Sequence, residues 1–213
     1  MIYPIARITL VPFYKLWLRK VEGLENVPKD KPFIIAANHS SYYDALLIHV
    51  ILVPKINKKI RALVNNNYWK FFITKIILDW GECIPVFVGK ESKEKNKQAF
   101  RKAIQCIKEG GIIEIFPEGG RSADGRLQKA YNGVAKIALA AKAPVLPVGI
   151  IDAHKVLPKG AMLPRLKRCE VKIGKLMHFD DCYNKKINDK LLEDITRSIM
   201  NEIAKLITQE YNY

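Results

Sequence analysis

The chain has 213 residues, of which 49% are hydrophobic, and this length predicts one domain with a sizeable core. The sequence has 36 lysine and arginine residues and 21 aspartate and glutamate residues, which gives a net charge of +15. Such an excess favours an anionic partner: acidic lipid, a phosphorylated substrate or nucleic acid. The alternative is a basic surface that is merely solvated. The four cysteines lack C-x-x-C pairs and zinc-type spacing, so we interpret them as reduced thiols of a cytoplasmic protein and predict no metal site.

The N-terminal residues 1–20 combine aliphatic and aromatic side chains with interspersed cations and two prolines. The uninterrupted apolar run at residues 8–14 is far shorter than the roughly 20 residues that a membrane-spanning helix needs. The segment also lacks the small-residue cleavage site of a secretory signal peptide. We therefore predict that residues 1–20 form a membrane-associated helical segment on anionic lipid, followed by a single domain over residues 21–213. A helix docked on the protein's own core is the alternative.

A histidine and an aspartate lie between the apolar run at residues 33–37, a predicted buried strand, and that at residues 45–53, a predicted helix. If His39 and Asp44 were both helical, five steps of about 100° would put them about 140° apart. Imidazole and carboxylate can meet only if His39 is in the loop and Asp44 is in the first helical turn. Such a pair is a general base with its orienting acid. Alternatively, Asp44 only complements the helix dipole and His39 only bonds the loop.

The next elements continue the alternation of strands and helices. Residues 60–64 predict a strand, and residues 68–80 predict a helix with apolar side chains on more than one face. One apolar neighbour of that helix is expected to be the core, and the other could be lipid or an acyl chain. Residues 92–108 predict a helix with a strongly basic exterior, which ends at a pair of glycines.

The strand predicted at residues 112–116 leads into a glycine-rich loop at residues 117–122. Glycine allows the backbone to approach a ligand closely, and the Arg121 guanidinium can bind two phosphate oxygens at once. The alternative for this loop alone is a charged β-turn.

The remaining elements complete an α/β pattern. We predict an alanine-rich helix at residues 129–141, a buried strand at 145–151, an edge strand at 169–176 and a final helix capped by Asn188. Alternating strands and helices predict a sheet covered by helices. Ligands bind beyond the carboxyl ends of the strands in such sheets, so the histidine loop and the arginine loop are expected to converge there.

Three motifs carry a resemblance to a known family. Residues 38–44 resemble the N-H-x-x-x-x-D signature of the glycerolipid acyltransferases, residues 116–122 resemble their F-P-E-G-T-R-S signature, and residues 145–150 are similar to a later V-x-P-V strand. Their order and intervals also fit, over roughly residues 20–155. The strongest likeness is to the 1-acylglycerol-3-phosphate acyltransferases, which make phosphatidic acid.

The resemblance implies a mixed, largely parallel sheet covered by helices, with an N-terminal membrane-associated segment. It implies transfer of a fatty acyl group from acyl-CoA or acyl carrier protein to the hydroxyl of a lysophospholipid, at the cytoplasmic face of the membrane, without a metal or other cofactor. His39 would be the base and Asp44 its orienting acid. Arg121 would position the phosphate of the acceptor, with Glu118 and Gly119 shaping its loop, and Asn38 would bond the histidine loop.

One family motif is incomplete in this sequence. The P-V-x-R motif, whose arginine helps to hold the acceptor's phosphate in the family, matches at Pro85 and Val86 but has Val88 at the arginine position. Lys90 could supply the charge as a point donor rather than a fork, or could be an ordinary loop lysine.

Several alternatives remain at this point. The acceptor could be a different lysolipid, or the histidine and aspartate could activate water in an acyl-thioester hydrolase. A serine nucleophile at Ser40 or Ser41 lacks the G-x-S-x-G elbow. A non-enzymatic basic membrane- or nucleic-acid-binding module is a further alternative, but the sequence has no nucleic-acid motif and we predict no nucleic-acid partner.

Overall fold

The computed structural model describes residues 16–87, 92–161 and 163–213. Most of the predicted membrane-associated segment, together with Val88 and Lys90, therefore lies outside the described residues. Within these ranges, no helix is both long enough and apolar enough to cross a membrane.

A single sheet organises the described part of the chain. Its strands are β1 (Leu18–Glu22), β2 (Phe33–Ala37), β3 (Ile60–Asn65), β4 (Ile84–Val86), β5 (Ile112–Ile115), β6 (Val145–Ile151) and β7 (Cys169–Ile173). Their order across the sheet is β1-β7-β6-β2-β5-β3-β4. All neighbouring pairs are parallel except β6 and β7. The predicted mixed, largely parallel sheet is thus confirmed.

The helices of the described ranges are α1 (Tyr43–Ile56), α2 (Phe72–Trp80), α3 (Ser92–Lys108), α4 (Gly133–Ala141), α5 (Ala153–Val156) and α6 (Asp189–Leu206). All of them except α2 contribute buried residues to the core, and together they cover both faces of the sheet. Asn188 caps α6 as predicted, since its Oδ1 accepts the N–H of Leu191 at 2.8 Å.

The central strands β2, β5 and β6 are apolar except for Glu114 in β5, because helices bury them on both faces. Every residue of β2 is fully buried, and its side chains alternate between two core clusters. Ile34 and Ala36 pack with α3, α4 and α6, whereas Phe33, Ile35 and Ala37 pack with α1 and α5. A strand buried on both faces gives a rigid base for the loop that follows it.

Three sequence-based expectations about these elements need correction. The strand at residues 169–173 is not an edge strand, because β1 pairs with its outer side. The helix expected from residue 68 is a 3-10 turn at Asn66–Lys70 followed by α2, no residue of which is buried in the core. The helix expected from residue 129 begins only at Gly133.

The register of β2 and β5 determines where the two motif loops emerge. These strands are parallel neighbours, with Phe33 opposite Ile112 and Ala36 opposite Ile115. The residues that follow them therefore leave the sheet side by side at its carboxyl edge.

Candidate active site

The histidine and the aspartate are in direct contact. His39 lies in the loop after β2, Asp44 lies in the first turn of α1, and Nδ1 of His39 is 2.8 Å from Oδ2 of Asp44. The same oxygen accepts the backbone N–H groups of Ser40 and Ser41 at 2.7 Å each. The fully buried carboxylate is thus fixed by three donors. With Nδ1–H donating to Asp44, Nε2 of the neutral ring is the proton acceptor.

The ring of His39 is also held from the side. It stacks on Phe116, the residue after β5, with ring centroids 4.0 Å apart and planes 20° apart. The side chain remains 19% exposed, so a ligand can reach it. Orientation by Asp44 and Phe116 therefore leaves the imidazole accessible.

Glu118 joins the two motif loops. Its Oε1 accepts the N–H of His39 and its Oε2 accepts the N–H of Gln128, both at 2.9 Å. A second bond between the two motif loops runs from the N–H of Ser122 to the carbonyl of His39, at 2.8 Å. Burial raises the pKa of Glu118 to about 7, although the two N–H groups oppose this shift. These contacts assign Glu118 to holding the loops in register.

Gly119 is required by the shape of the same loop. Its φ of +67° is in the left-handed region, and a Cβ at this position would lie 2.9 Å from the Tyr131 ring. The turn is closed by the N–H of Gly119, which donates to the carbonyl of Phe116 at 3.0 Å. A side chain here would displace the loop that carries Arg121.

The guanidinium of Arg121 lies over an aromatic ring beside the histidine loop. Its Cζ is 3.3 Å from the centroid of Tyr42. Its Nη1 is buried and has no hydrogen-bond partner, and such a group on a cation is suited to an anionic oxygen. The hydrogen bond with Tyr68, and to a smaller extent the charges of Arg121 and Lys159, lower the pKa of Tyr42.

Asn38 anchors the histidine loop to β6, the neighbour of β2 in the sheet. Its Nδ2 donates to the carbonyl of Ile150 at 2.8 Å, and its Oδ1 accepts the N–H of Ile150 at 2.7 Å. Both polar ends of the buried amide are therefore engaged by β6, and the geometry favours a positioning role over substrate contact.

A buried ion pair beneath the site was not anticipated from the sequence. Nδ1 of His49 lies 3.2 Å from Oε2 of Glu114, and its two ring nitrogens lie 2.8 and 3.0 Å from the carbonyls of Ala45 and Ile60. Both ring nitrogens face carbonyl acceptors, and donation to both corresponds to the imidazolium form of His49. Burial alone would lower the pKa of His49, but Glu114 and the carbonyls raise it to about 9. Burial in turn raises the pKa of Glu114, which the charge of His49 opposes. The sequence did contain a signal for this pair, because an ionisable residue lies inside each of two otherwise apolar runs.

Comparison with known proteins gives consistent results. The family model described as Acyltransferase matches residues 18–151. A chloroplast 1-acyl-sn-glycerol-3-phosphate acyltransferase of Arabidopsis thaliana is 29% identical over 159 residues, which are 73% of this chain and 41% of the relative. A Bacillus subtilis protein with the same enzyme name is 29% identical over 164 residues, 76% of this chain and 75% of that protein.

A solved structure shares the fold. The crystal structure of the 1-acyl-sn-glycerophosphate acyltransferase PlsC from Thermotoga maritima aligns with a TM-score of 0.65 at 23% identity, covering 98% of this chain and 84% of that one. The chain nevertheless spans only part of several relatives, including 64% of the length of a 1-acyl-sn-glycerol-3-phosphate acyltransferase from Pseudomonas aeruginosa.

Proposed function

The chain belongs to the acyltransferase family, and from this premise we propose that it moves a fatty acyl group from a thioester to the free hydroxyl of a lysophospholipid. The proposed acceptor is 1-acylglycerol-3-phosphate and the product is phosphatidic acid. The enzyme names of the relatives support this acceptor. The observation that carries the proposal is the contact of the His39–Asp44 pair with the loop of Arg121.

The chemistry follows from the orientation of His39. Nε2 takes the proton of the acceptor hydroxyl while the oxygen attacks the thioester carbonyl carbon, and the Asp44 carboxylate stabilises the imidazolium that forms. The tetrahedral intermediate then collapses, the C–S bond breaks, and the imidazolium returns its proton to the leaving thiolate. The new ester and a free thiol are the products, and no acyl-enzyme is needed.

Arg121 is assigned to the phosphate of the acceptor. Its buried Nη1 lacks a hydrogen-bond partner, and its guanidinium carbon lies 3.3 Å from the centroid of the Tyr42 ring, which holds the group in place. Two parallel N–H donors match two phosphate oxygens in a way that a lysine ammonium does not. Glu118 and Gly119 set the loop geometry, and Lys90 remains a candidate for a second cation in place of the family arginine.

The donor and the place of action are further parts of the proposal. The donor is acyl-CoA or acyl carrier protein, as the family resemblance implies. The protein acts at the cytoplasmic face of the membrane, where its lipid acceptor resides, and the net charge of +15 supports attachment to anionic lipid. Residues 1–20 are the segment proposed to lie in that interface.

An acceptor panel tests the proposal. Purified protein is supplied with acyl-CoA or acyl carrier protein and with lysophosphatidate, other lysophospholipids or glycerol 3-phosphate, and the products are separated. We expect phosphatidic acid with lysophosphatidate, and little free fatty acid when the acceptor is left out. Equal release of fatty acid with and without acceptor would instead identify a hydrolase.

A further inference from the structure

The helix α2 carries an apolar face that no other part of the described chain covers. Four large apolar side chains of the helix, together with that of the residue before it, are 54% to 79% exposed. We call this set the α2 apolar face: Phe71, Phe72, Ile73, Ile76 and Ile77. A helix on a globular domain normally turns such residues toward the core and its polar residues toward water. Exposed apolar area concentrated on one short helix marks an interaction surface.

Polar contacts hold this helix in place. Thr74 Oγ1 bonds the carbonyls of Tyr68 and Phe71, and Trp69 Nε1 donates to Asp79 Oδ1 at 2.8 Å. These bonds fix α2 against the 3-10 turn at Asn66–Lys70. The outward direction of the apolar side chains is therefore set by the fold.

The α2 apolar face is continuous with the candidate active site. Tyr68, in the turn that precedes α2, meets the ring of Tyr42 edge-on, with centroids 6.1 Å apart. Tyr42 in turn carries the guanidinium of Arg121. A lipid surface under α2 would thus lie beside the cation assigned to the acceptor's phosphate.

The charges around the face identify its partner. Lys70 is exposed on the turn, Lys75 is exposed on the helix itself, where it pairs with Asp79 at 2.5 Å, and the exposed Lys159 is close enough to Tyr42 to lower its pKa. Aromatic and aliphatic side chains bordered by lysines are the composition of helices that lie in the interface of an anionic membrane. An apolar protein partner would not need the cations.

We propose that the α2 apolar face rests on the surface of an anionic phospholipid bilayer and so presents the candidate active site to the membrane. The identity of the surface as a lipid bilayer rests on the proposed lipid acceptor. The contact is separate from the N-terminal segment, and it assigns membrane binding to residues within the α/β domain.

The test compares two isoleucines of similar exposure. Ile76 on α2 is 54% exposed, and Ile187 is 50% exposed. Ile187 belongs to the segment that follows β7. The Val145–Met177 bridge anchors that segment near the amino end of β6, whereas the candidate site lies at the opposite, carboxyl edge of the sheet. Full-length Ile76→Glu and Ile187→Glu proteins are floated with vesicles of phosphatidylcholine and phosphatidylglycerol in a ratio of about 7:3.

We expect the vesicle affinity of Ile76→Glu to fall at least about tenfold, and that of Ile187→Glu to stay within about twofold of wild type. Equal affinities of the two variants would overturn the proposal, and so would binding that depends only on residues 1–15. A wild-type dimer that Ile76→Glu converts to a monomer without lipid would assign the face to a second copy instead.

A second readout separates this inference from the proposed function. Vesicle flotation needs neither donor nor acceptor, so its result stands whatever reaction the protein catalyses. With a water-soluble, short-chain lysophosphatidate, Ile76→Glu should turn over at the wild-type rate, which also shows that it is folded. If wild type binds vesicles through α2 but makes no phosphatidic acid, only the proposed function fails.

Discussion

Replacing Asp44 by asparagine tests how much the buried carboxylate contributes to catalysis. The amide oxygen can still accept the N–H groups of Ser40 and Ser41, so the loop should keep its shape. The negative charge 2.8 Å from Nδ1 of His39 is lost, however. At an effective dielectric constant of about 20, that charge interacts with an imidazolium by about 6 kcal/mol. If about half of the proton has moved in the transition state, about 3 kcal/mol is lost, equivalent to about a 150-fold fall in kcat.

The assay is steady-state acyl transfer to lysophosphatidate, with thermal unfolding as the measure of intact structure. Asp124→Asn is the matched control, because Asp124 is exposed and bonds only its own loop among the contacts described. We expect Asp44→Asn to lose activity at an unchanged melting temperature and the control to remain active. A kcat for Asp44→Asn within about threefold of wild type would refute the electrostatic role of Asp44.

Further predictions concern the phosphate cradle and two buried carboxyl groups. Arg121→Lys should raise the KM for the acceptor about tenfold in steady-state assays and leave the donor KM unchanged, because an ammonium replaces a guanidinium that can bind two phosphate oxygens at once. Arg126→Lys, an exposed control, should change neither KM. Because the folded pKa of Glu118 is raised to about 7, it contributes stability below pH 4.5 that is lost as pH rises toward 7, by up to about 3 kcal/mol. Urea unfolding of Glu118→Gln should lack this fall, and an unchanged pH slope would contradict the assignment. Glu114→Ala should lower the free energy of unfolding by about 3 to 5 kcal/mol, because the charge of His49 loses its counter-ion. The double variant His49→Leu, Glu114→Ile should lose far less, because it leaves no unpaired charge. Equal losses for the two proteins in urea unfolding would count against the ion pair.

The sequence predicted the elements whose signal is local. Apolar runs marked β2 and, with Glu114 as the one interruption, β5, because strands buried on both faces have no polar side to alternate with. The spacing of His39 and Asp44 also showed that the two side chains could meet only with the histidine in the loop and the aspartate in the first helical turn, and the structure has this arrangement. These predictions needed only the geometry of single elements.

Features that depend on distant parts of the chain were missed. The strand β1 is short and mostly charged, and only its pairing with β7, about 150 residues later in the chain, makes it a strand. The same holds for the bonds between Asn38 and Ile150, which are separated by 112 positions. Tertiary contacts of this kind leave no periodic pattern in the sequence.

The two ionisable residues under the site illustrate a different limit. His49 and Glu114 each stand in an apolar run, where they appear as interruptions of a buried helix and a buried strand. Their partnership becomes visible only when α1 is packed on the sheet and the carboxylate lies 3.2 Å from the ring. A buried charge in an apolar run is thus a signal that another element supplies its counter-ion.

The central claim is that His39 is the base of an acyl transfer whose acceptor is held by the neighbouring arginine loop. The most direct measurement is the single-turnover rate of phosphatidic acid formation by His39→Ala, with donor and lysophosphatidate both saturating. We predict a rate about 10²- to 10⁴-fold below wild type at an unchanged melting temperature. A rate within about threefold of wild type, from a protein shown to be folded, would contradict the claim.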